Sequence, residues 1–534
     1  MMKPTSDSNK LKLLVHNLAL APQDLSQLSF AKTTIPALHR FVRRLPQSAT
    51  DQIQQVYSAI KEVSQLNALP TLKLAILDIL AQPIRESIEI LTEKTHLNQQ
   101  TYTAVSLALA MLKYQAMGYK SVLITASGDE TSQRTELQKP IRASLEAMNA
   151  LYLHSLIFYV SLPKDFWHEL HIFYRLIKLL QLENTPLFAT DKDSASTHRP
   201  TLLSLYLKPL LLSATNPGQY TPVEIKKIAL FLDQWASMAQ LAPSRTDGLY
   251  VIDLDSDTGP HYEDRFGALT SNHIRLQTNQ LVNLIGGNFY QTEPGTRFVP
   301  LPTRLVDSLC NSWGQAHTRQ HQHVLDQSDV EVLIGFTMIH DKLTEQADLP
   351  RSTQQQNDVV SLDKVKTETS ANACGVKRTG CWGKLRNASQ AGIQLSLNDP
   401  ANRIAPGDFV CYRTDADDSW SLGLVRWLNV STGLKQVAGI KTLSHQVEPC
   451  SVKLMQDGRP MSPFLPGLRF IDHTNPDSLR LATLPKPFRV QNTITLVTQT
   501  NEQSLRLVEL CESTFHIAVF CVETTSEYRS NRRD

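Results

Sequence analysis

The hydrophobic pattern of this chain changes after Pro243, and from Val330 its period is two; that change limits its possible folds more than any other feature. Before it, apolar residues recur every three or four positions. In TLKLAILDILAQPIRESIEIL the residues Leu72, Ile76, Ile79, Leu80, Ile84, Ile88 and Leu91 make one stripe, as expected of a helix with a single buried face. TYTAVSLALAMLKYQAM and LHIFYRLIKLLQL repeat the period. Thr221-Pro222-Val223-Glu224 supplies an N-cap, a first-turn proline and an acid at the third helical position, the opening of another helix. Polar breaks at 190–197 and Asn216-Pro217-Gly218 separate these segments. Eight or nine helices are expected before Pro243, in an irregular array with no fixed repeat.

Beyond Pro243, GLYVIDLDSDTGP is a short apolar run ending in an acidic turn, and 271–285 suits a strand pair or a helix. From Val330 the period becomes two. Val330, Val332, Ile334, Phe336 and Met338 share one side, as do Ile393, Leu395 and Leu397. Further strands are expected at 409–413, 423–428, 437–443 and 447–454, divided by Pro406-Gly407, Asp417-Asp418 and Thr432-Gly433. Short alternating strands between such turns describe a small antiparallel barrel. A polar stretch, 341–380, reads as an insertion. Runs at 468–471, 489–498, 504–510 and 515–523 make an additional β layer or a second small barrel. The expected fold class is multidomain α + β: an all-α helical array over 1–243, a connecting α/β segment over 244–312, a β-barrel over 313–456, and a C-terminal β extension over 457–534.

Composition narrows the function classes. Lys and Arg total 53 against 51 Asp and Glu, a net charge of +2, so no bulk field draws the chain to nucleic acid or anionic lipid. Seven cysteines (Cys310, Cys374, Cys381, Cys411, Cys450, Cys511 and Cys521) stand at irregular spacings without a CxxC pair. Neither a disulfide framework nor a zinc site is indicated. The first residues, MMKPTSDSNKLK, are polar, and the longest apolar stretch, 147–163, is interrupted by Asn149, His154 and Ser155. A bilayer span needs about 20 consecutive apolar residues, so this stretch reads as a buried helix, with no integral membrane segment and a cytoplasmic location expected.

The most informative segment runs Leu385-Arg386-Asn387-Ala388-Ser389-Gln390-Ala391-Gly392-Ile393-Gln394-Leu395. It resembles the PilZ family, whose barrels carry a [D/N]xSxxG signature leading into a strand. Asn387, Ser389 and Gly392 fill its three fixed positions, and Pro406-Gly407, Gly423-Leu-Val-Arg-Trp427 and Val437-Ala-Gly439-Ile440 continue the likeness. It spans Trp313 to Leu454 and does not reach the helical half. The resemblance implies a β-barrel that binds cyclic di-GMP, a dianion with two guanines. An Asn or Ser oxygen suits guanine edges, and a glycine admits close backbone approach.

The family's other element is RxxxR before the first strand, where paired guanidinium groups grip phosphate or guanine. Here the lead-in reads Trp313-Gly-Gln-Ala-His317-Thr-Arg319-Gln-His321-Gln-His323. Arg319 takes the first place and His323 the second; shifting the frame puts Gln315 in the first. Losing one bidentate arginine contact costs on the order of 1–3 kcal/mol, roughly tenfold to a hundredfold or more in affinity. Lys377, Arg378 and Arg386 are substitute cations. The resemblance thus implies a ligand set of Arg319, His323, Arg386, Asn387, Ser389 and Gly392, in a site weakened by the missing arginine.

Other candidates give way to simpler readings. His317 and His321 stand four apart, but Cys310 and Asp326 complete no metal spacing, so a solvated lead-in is favoured. Asp253-Leu-Asp255-Ser-Asp257-Thr-Gly259 has Thr258 where a calcium loop needs Gly and Asp264 where it needs Glu, leaving an acidic turn. His168-Glu169-Leu-His171 is one residue short of the zinc-hydrolase spacing, and Gly375-Val-Lys-Arg-Thr-Gly380 runs into Cys381-Trp382 rather than Lys-Ser/Thr. Trp420 and Trp427 read as barrel packing. No catalytic or metal constellation, cofactor or enzyme activity is indicated. The expectation is a signalling protein that senses cyclic di-GMP and couples it, through the helices, to an unidentified protein partner. The alternative is a nucleotide-independent scaffold with a degenerate barrel.

Overall fold

A computed structural model describes residues 6–93, 99–128, 134–187, 200–287, 301–316, 324–346, 380–398, 403–414, 419–431, 435–514 and 516–524. The chain divides into two compact units, Met1–Thr318 and Arg319–Asp534.

Before Pro243 the helical period becomes nine α-helices among the described residues: α1 Ser6–His16, α2 Ile35–Arg43, α3 Ala49–Gln65, α4 Pro70–Glu93, α5 Gln99–Gly128, α6 Arg134–Ile157, α7 Phe166–Leu179, α8 Leu202–Ala214 and α9 Pro222–Trp235. Of the stripe read on α4, Ile76, Leu80, Ile84 and Ile88 are buried. The α9 start forms as read: Thr221 and Glu224 make a reciprocal capping box, with Pro222 in the first turn. No described helix is long and apolar enough to cross a membrane.

The segment 244–312 is not a separate connector. Strands β1 Gln240–Pro243, β2 Tyr250–Asp253, β3 His261–Tyr262 and β4 His273–Gln277 form one sheet, followed by α10 Asn279–Gly286 and α11 Thr303–Gly314. Tyr250, Ile252 and Leu276 lie in the same hydrophobic core as the helices. Trp313, read as the start of the barrel, belongs to this core too. It is 0% exposed, and its indole N–H donates to the Leu211 carbonyl at 3.0 Å.

The second unit holds two barrels. The first comprises β5 Val324–Leu325, β6 Asp329–Ile334, β7 Cys381–Ser389, β8 Gly392–Leu397, β9 Phe409–Thr414, β10 Ser421–Val430 and β11 Gln436–Ser444. The order β7-β6-β9-β10-β11-β8 closes on itself through the β7–β8 pairing, and β5 pairs on β7. Alternation was expected to run on to Met338, but the strand stops at Ile334. Gly335, at φ +91°, turns the chain into helix α12, Phe336–Gln346, because that φ is open to glycine and costly for other residues. The first six positions of the polar stretch 341–380 are thus helical, and 347–379 lie outside the described residues.

The C-terminal part is a second closed barrel rather than a layer: β12 Val447–Gln456, β13 Arg459–Pro460, β14 Leu465–Asp472, β15 Asn475–Thr483, β16 Thr493–Val497, β17 Glu502–Ser513 and β18 Ala518–Thr524. The ring β12-β14-β15-β18-β17-β16 closes through β12–β16. Strand β12, read as the end of the first barrel, pairs with β14 and β16 and so belongs to the second. One core joins the barrels: Phe336, Ile339 and Leu343 of α12 pack with Phe409 and Leu422 from one and Phe470 from the other.

Candidate functional site

The [D/N]xSxxG motif forms the β7–β8 hairpin. Asn387 and Ser389 end β7, Gln390 and Ala391 make the turn, and Gly392 begins β8. Ser389 Oγ donates to the Gly392 carbonyl at 3.1 Å, tying the turn. Asn387 Nδ2 donates to Gln394 Oε1 at 2.7 Å. A Cβ on Gly392 would stand 2.1 Å from the Ile440 carbonyl oxygen, so only glycine lets β8 and β11 approach this closely here. Lys441 is the residue paired with Gly392 across the ladder.

Directly opposed residues on antiparallel strands share a face, which gives the motif a direction. Leu385, Leu395, Ala438 and Leu428 are successive partners, all buried, and form an inner row. The next row, Asn387, Gln394, Gly439 and Trp427, therefore faces outward. A Cβ on Gly439 would meet Trp427 Nε1 at 2.0 Å, so the indole lies flat across that bare backbone. The result is an outward strip with an amide pair at one end and an aromatic plate at the other. The Asn387 carbonyl oxygen and the Gln394 amide N–H groups make no hydrogen bond among the described residues. Such groups can read the donor and acceptor edge of a purine, and an exposed indole can stack on its face.

Arg386 is the extra residue of a β-bulge between Leu385 and Asn387; its side chain is exposed and makes no ion pair among the described residues. The bulge shifts the alternation by one and so turns Asn387 outward. Arg319 and His323 lie outside the described residues, as do His317, His321, Lys377 and Arg378. The first described residue after the lead-in, Val324, pairs with Ala388, and Leu325 pairs with Asn387. The chain thus enters the barrel beside the motif. Of the predicted set, the structure brings Asn387, Ser389, Gly392 and Arg386 onto one hairpin.

Gln394, Trp427 and Lys441 were not singled out as ligand candidates from sequence. Trp427 was read with Trp420 as packing, but the two differ. Trp420 is buried in the core between the barrels, donates to Gln346 Oε1 at 3.0 Å and lies under the Arg413 guanidinium at 4.5 Å. Trp427 is half-buried on the outward row. The signal for it is Gly439, the one glycine of its strand, directly opposite Trp427.

The remaining sequence candidates are accounted for structurally. Asp257 caps α7, accepting from Asp165 N at 2.7 Å, Trp167 N at 2.9 Å and His168 N at 3.3 Å. Asp255 pairs with Arg175 at 2.5 Å. Glu169 accepts from buried Lys120 at 2.6 Å and from Ala19 N at 2.8 Å. His171 Nε2 donates to the Thr258 carbonyl at 3.1 Å, which leaves Nδ1 to accept from the Tyr206 hydroxyl at 2.9 Å. Burial pushes this imidazole down to about 4, partly offset by the Thr258 bond. Asp326 closes a local turn onto Ser328. One group with metal-ligand atoms within 4.8 Å of one another exists among the described residues, Glu509, Cys511 and Cys521. The Arg480 guanidinium contacts both sulfurs, so a cation already stands there.

Comparison with known proteins bears on both units. The family model "Cyclic-di-GMP receptor FimW, N-terminal domain" matches residues 36–245. The model "Cyclic-di-GMP receptor FimW, middle PilZ domain" matches residues 249–384. The chain resembles the FimW receptors. A curated relative, the cyclic-di-GMP receptor FimW of Pseudomonas aeruginosa, is 20% identical over 503 residues, covering 83% of this chain and 82% of the relative. The likeness reaches the helical unit, which the motif-based resemblance did not. The PilZ match begins earlier than Trp313 and ends three residues before Asn387, so the hairpin motif is an observation separate from it.

Proposed function

We propose that this chain is a cyclic di-GMP-sensing regulatory protein of the cytoplasm, acting by binding rather than catalysis. The observation that carries the site is the outward strip on the first barrel. Asn387 and Gln394 present unused amide groups, the Ser389 hydroxyl ties the turn, Gly392 admits the close approach of β8 and β11, and Trp427 offers a stacking plate over Gly439. The resemblance to FimW receptors across most of the chain's length supports the same ligand. Arg319 and His323, four positions apart in the lead-in, supply phosphate contacts, and Arg386 adds a further cation. Because the lead-in joins the barrel to the helical unit, ligand held by it is coupled to how those helices meet a protein partner. Coupling of this kind requires different ligand affinity in the two arrangements.

Calorimetric titration of the full chain with cyclic di-GMP tests the reading. Micromolar binding that Asn387→Ala weakens at least tenfold and Arg319→Ala abolishes is the expected result. Absence of heat with the unmodified chain rejects it. One observation favours the scaffold alternative: His323 stands where a second arginine would grip the ligand. A melting temperature unmoved by excess nucleotide would then be found, since a ligand that binds only the folded state must raise it.

A further inference from the structure

Two cations border the strip, and both already hold a carboxylate. Lys441 is the ladder partner of Gly392, one strand spacing away, about 5 Å. Arg426 is the extra residue of a bulge between Val425 and Trp427, next to the stacking plate. Both side chains converge on Glu512, which lies on β17 of the second barrel, just past the bulged Cys511. Arg426 engages both carboxylate oxygens, Nη2 on Oε1 and Nη1 on Oε2 at 3.5 Å, while Lys441 Nζ stands 3.5 Å from Oε1. The three side chains keep access to solvent, with 36% of Arg426, 45% of Lys441 and 21% of Glu512 exposed. Two cations and one carboxylate leave a local charge of +1.

We propose that Glu512 is a built-in competitor for the phosphate position of this site. Its carboxylate occupies the guanidinium fork and the ammonium that a phosphodiester of the cyclic dinucleotide takes on binding. This rests on the reading given under Proposed function and deepens it. Arg426 and Lys441 supply the second phosphate grip that His323 does not. An Arg fork accepts carboxylate and phosphate in the same bidentate geometry, so the exchange swaps one anion for another. The shared apolar core of the barrels is untouched by it. Binding therefore releases a polar latch at the rim of that core.

Titration of the full chain with cyclic di-GMP, at fixed low ionic strength, separates the possibilities. Glu512→Gln, nearly isosteric, frees the cations and is expected to tighten binding about fivefold to tenfold. Arg426→Gln and Lys441→Gln are each expected to weaken it about tenfold, and Glu512→Gln added to Arg426→Gln is expected to gain less than it does alone. Should Glu512→Gln lower the melting temperature by more than a few degrees, the Arg426→Gln and Lys441→Gln titrations carry the test. Binding by the unmodified chain that Glu512→Gln, Arg426→Gln and Lys441→Gln all leave within twofold overturns the latch while the site assignment stands. No heat with any of these proteins removes the site assignment, and the latch with it.

Discussion

The two barrels of the second unit share one architecture and differ in what their outer faces leave unused. Each is a six-stranded ring closed by an additional pairing, with a short seventh strand. In the second barrel several polar groups pair with one another, although Arg480 Nε and His473 Nδ1 are buried without a hydrogen bond among the described residues. Arg480 pairs with Asp472 at 3.2 Å, Arg469 lies 3.7 Å from Glu448, and Asp472 also accepts from Thr474. In the first barrel the motif row keeps amide groups without hydrogen bonds among the described residues, and glycines replace bulk at the points of closest approach. Gly383, Gly392, Gly423 and Gly439 lie in its strands, against Gly467 alone in those of the second. A ring closes wherever alternation and turn lengths permit. A binding surface needs in addition that polar groups be left over, at some cost in packing; the glycines serve the close packing of strands and of Trp427.

The contrast can be broken at its glycines. Gly392→Ala places a Cβ against a backbone oxygen that cannot swing aside, and a loss of about 3 kcal/mol or more is expected. Urea titration followed by hydrogen exchange in β8 and β11 reads it. Gly467→Ala meets Val452 and Cys450 side chains at 2.7 and 2.9 Å, and a smaller loss, about 1–2 kcal/mol, is expected. Equal losses would dissolve the distinction. Acid separates the barrels from the helical unit. His171 is held neutral to about 4, while in the unfolded chain it titrates near 6.5. Between those values the unfolded chain takes up the proton first, so stability falls as pH falls through the window, by up to about 3 kcal/mol. Burial holds His154 of α6 down to about 4 as well, so thermal melts from pH 7 to 4 should show the slope for the helical unit, reduced by about half in His171→Gln and flattened only when His154 is replaced too. The smallest effect concerns the plate. Gly439→Ala pushes the Trp427 indole off its seat and is expected to weaken cyclic di-GMP binding about tenfold, with a shift in tryptophan emission that Trp420, buried elsewhere, does not report.

Much of this was legible along the chain because it depends on neighbours in sequence. Helical stripes such as Ile76-Leu80-Ile84, the Thr221 cap and the 387–392 hairpin all arise from contacts within a few residues. The reading of 330–338 as one strand failed at Gly335, where a single backbone conformation outweighed continued alternation. Closure was harder still. That β12 starts a second ring, and that Trp313 anchors the helical core, are outcomes of competition among many apolar surfaces of similar strength.

Sequence alone determined the change of period, the two kinds of unit it requires and the residues of the motif, because periodicity and turn chemistry are local. Only the tertiary structure decided which face the motif presents, that Trp427 lies across Gly439, and that Glu512 meets Arg426 and Lys441. Those depend on strand register and on three bulges, at Arg386, Arg426 and Cys511, and a one-residue slip at any of them would turn the side chains that follow the other way.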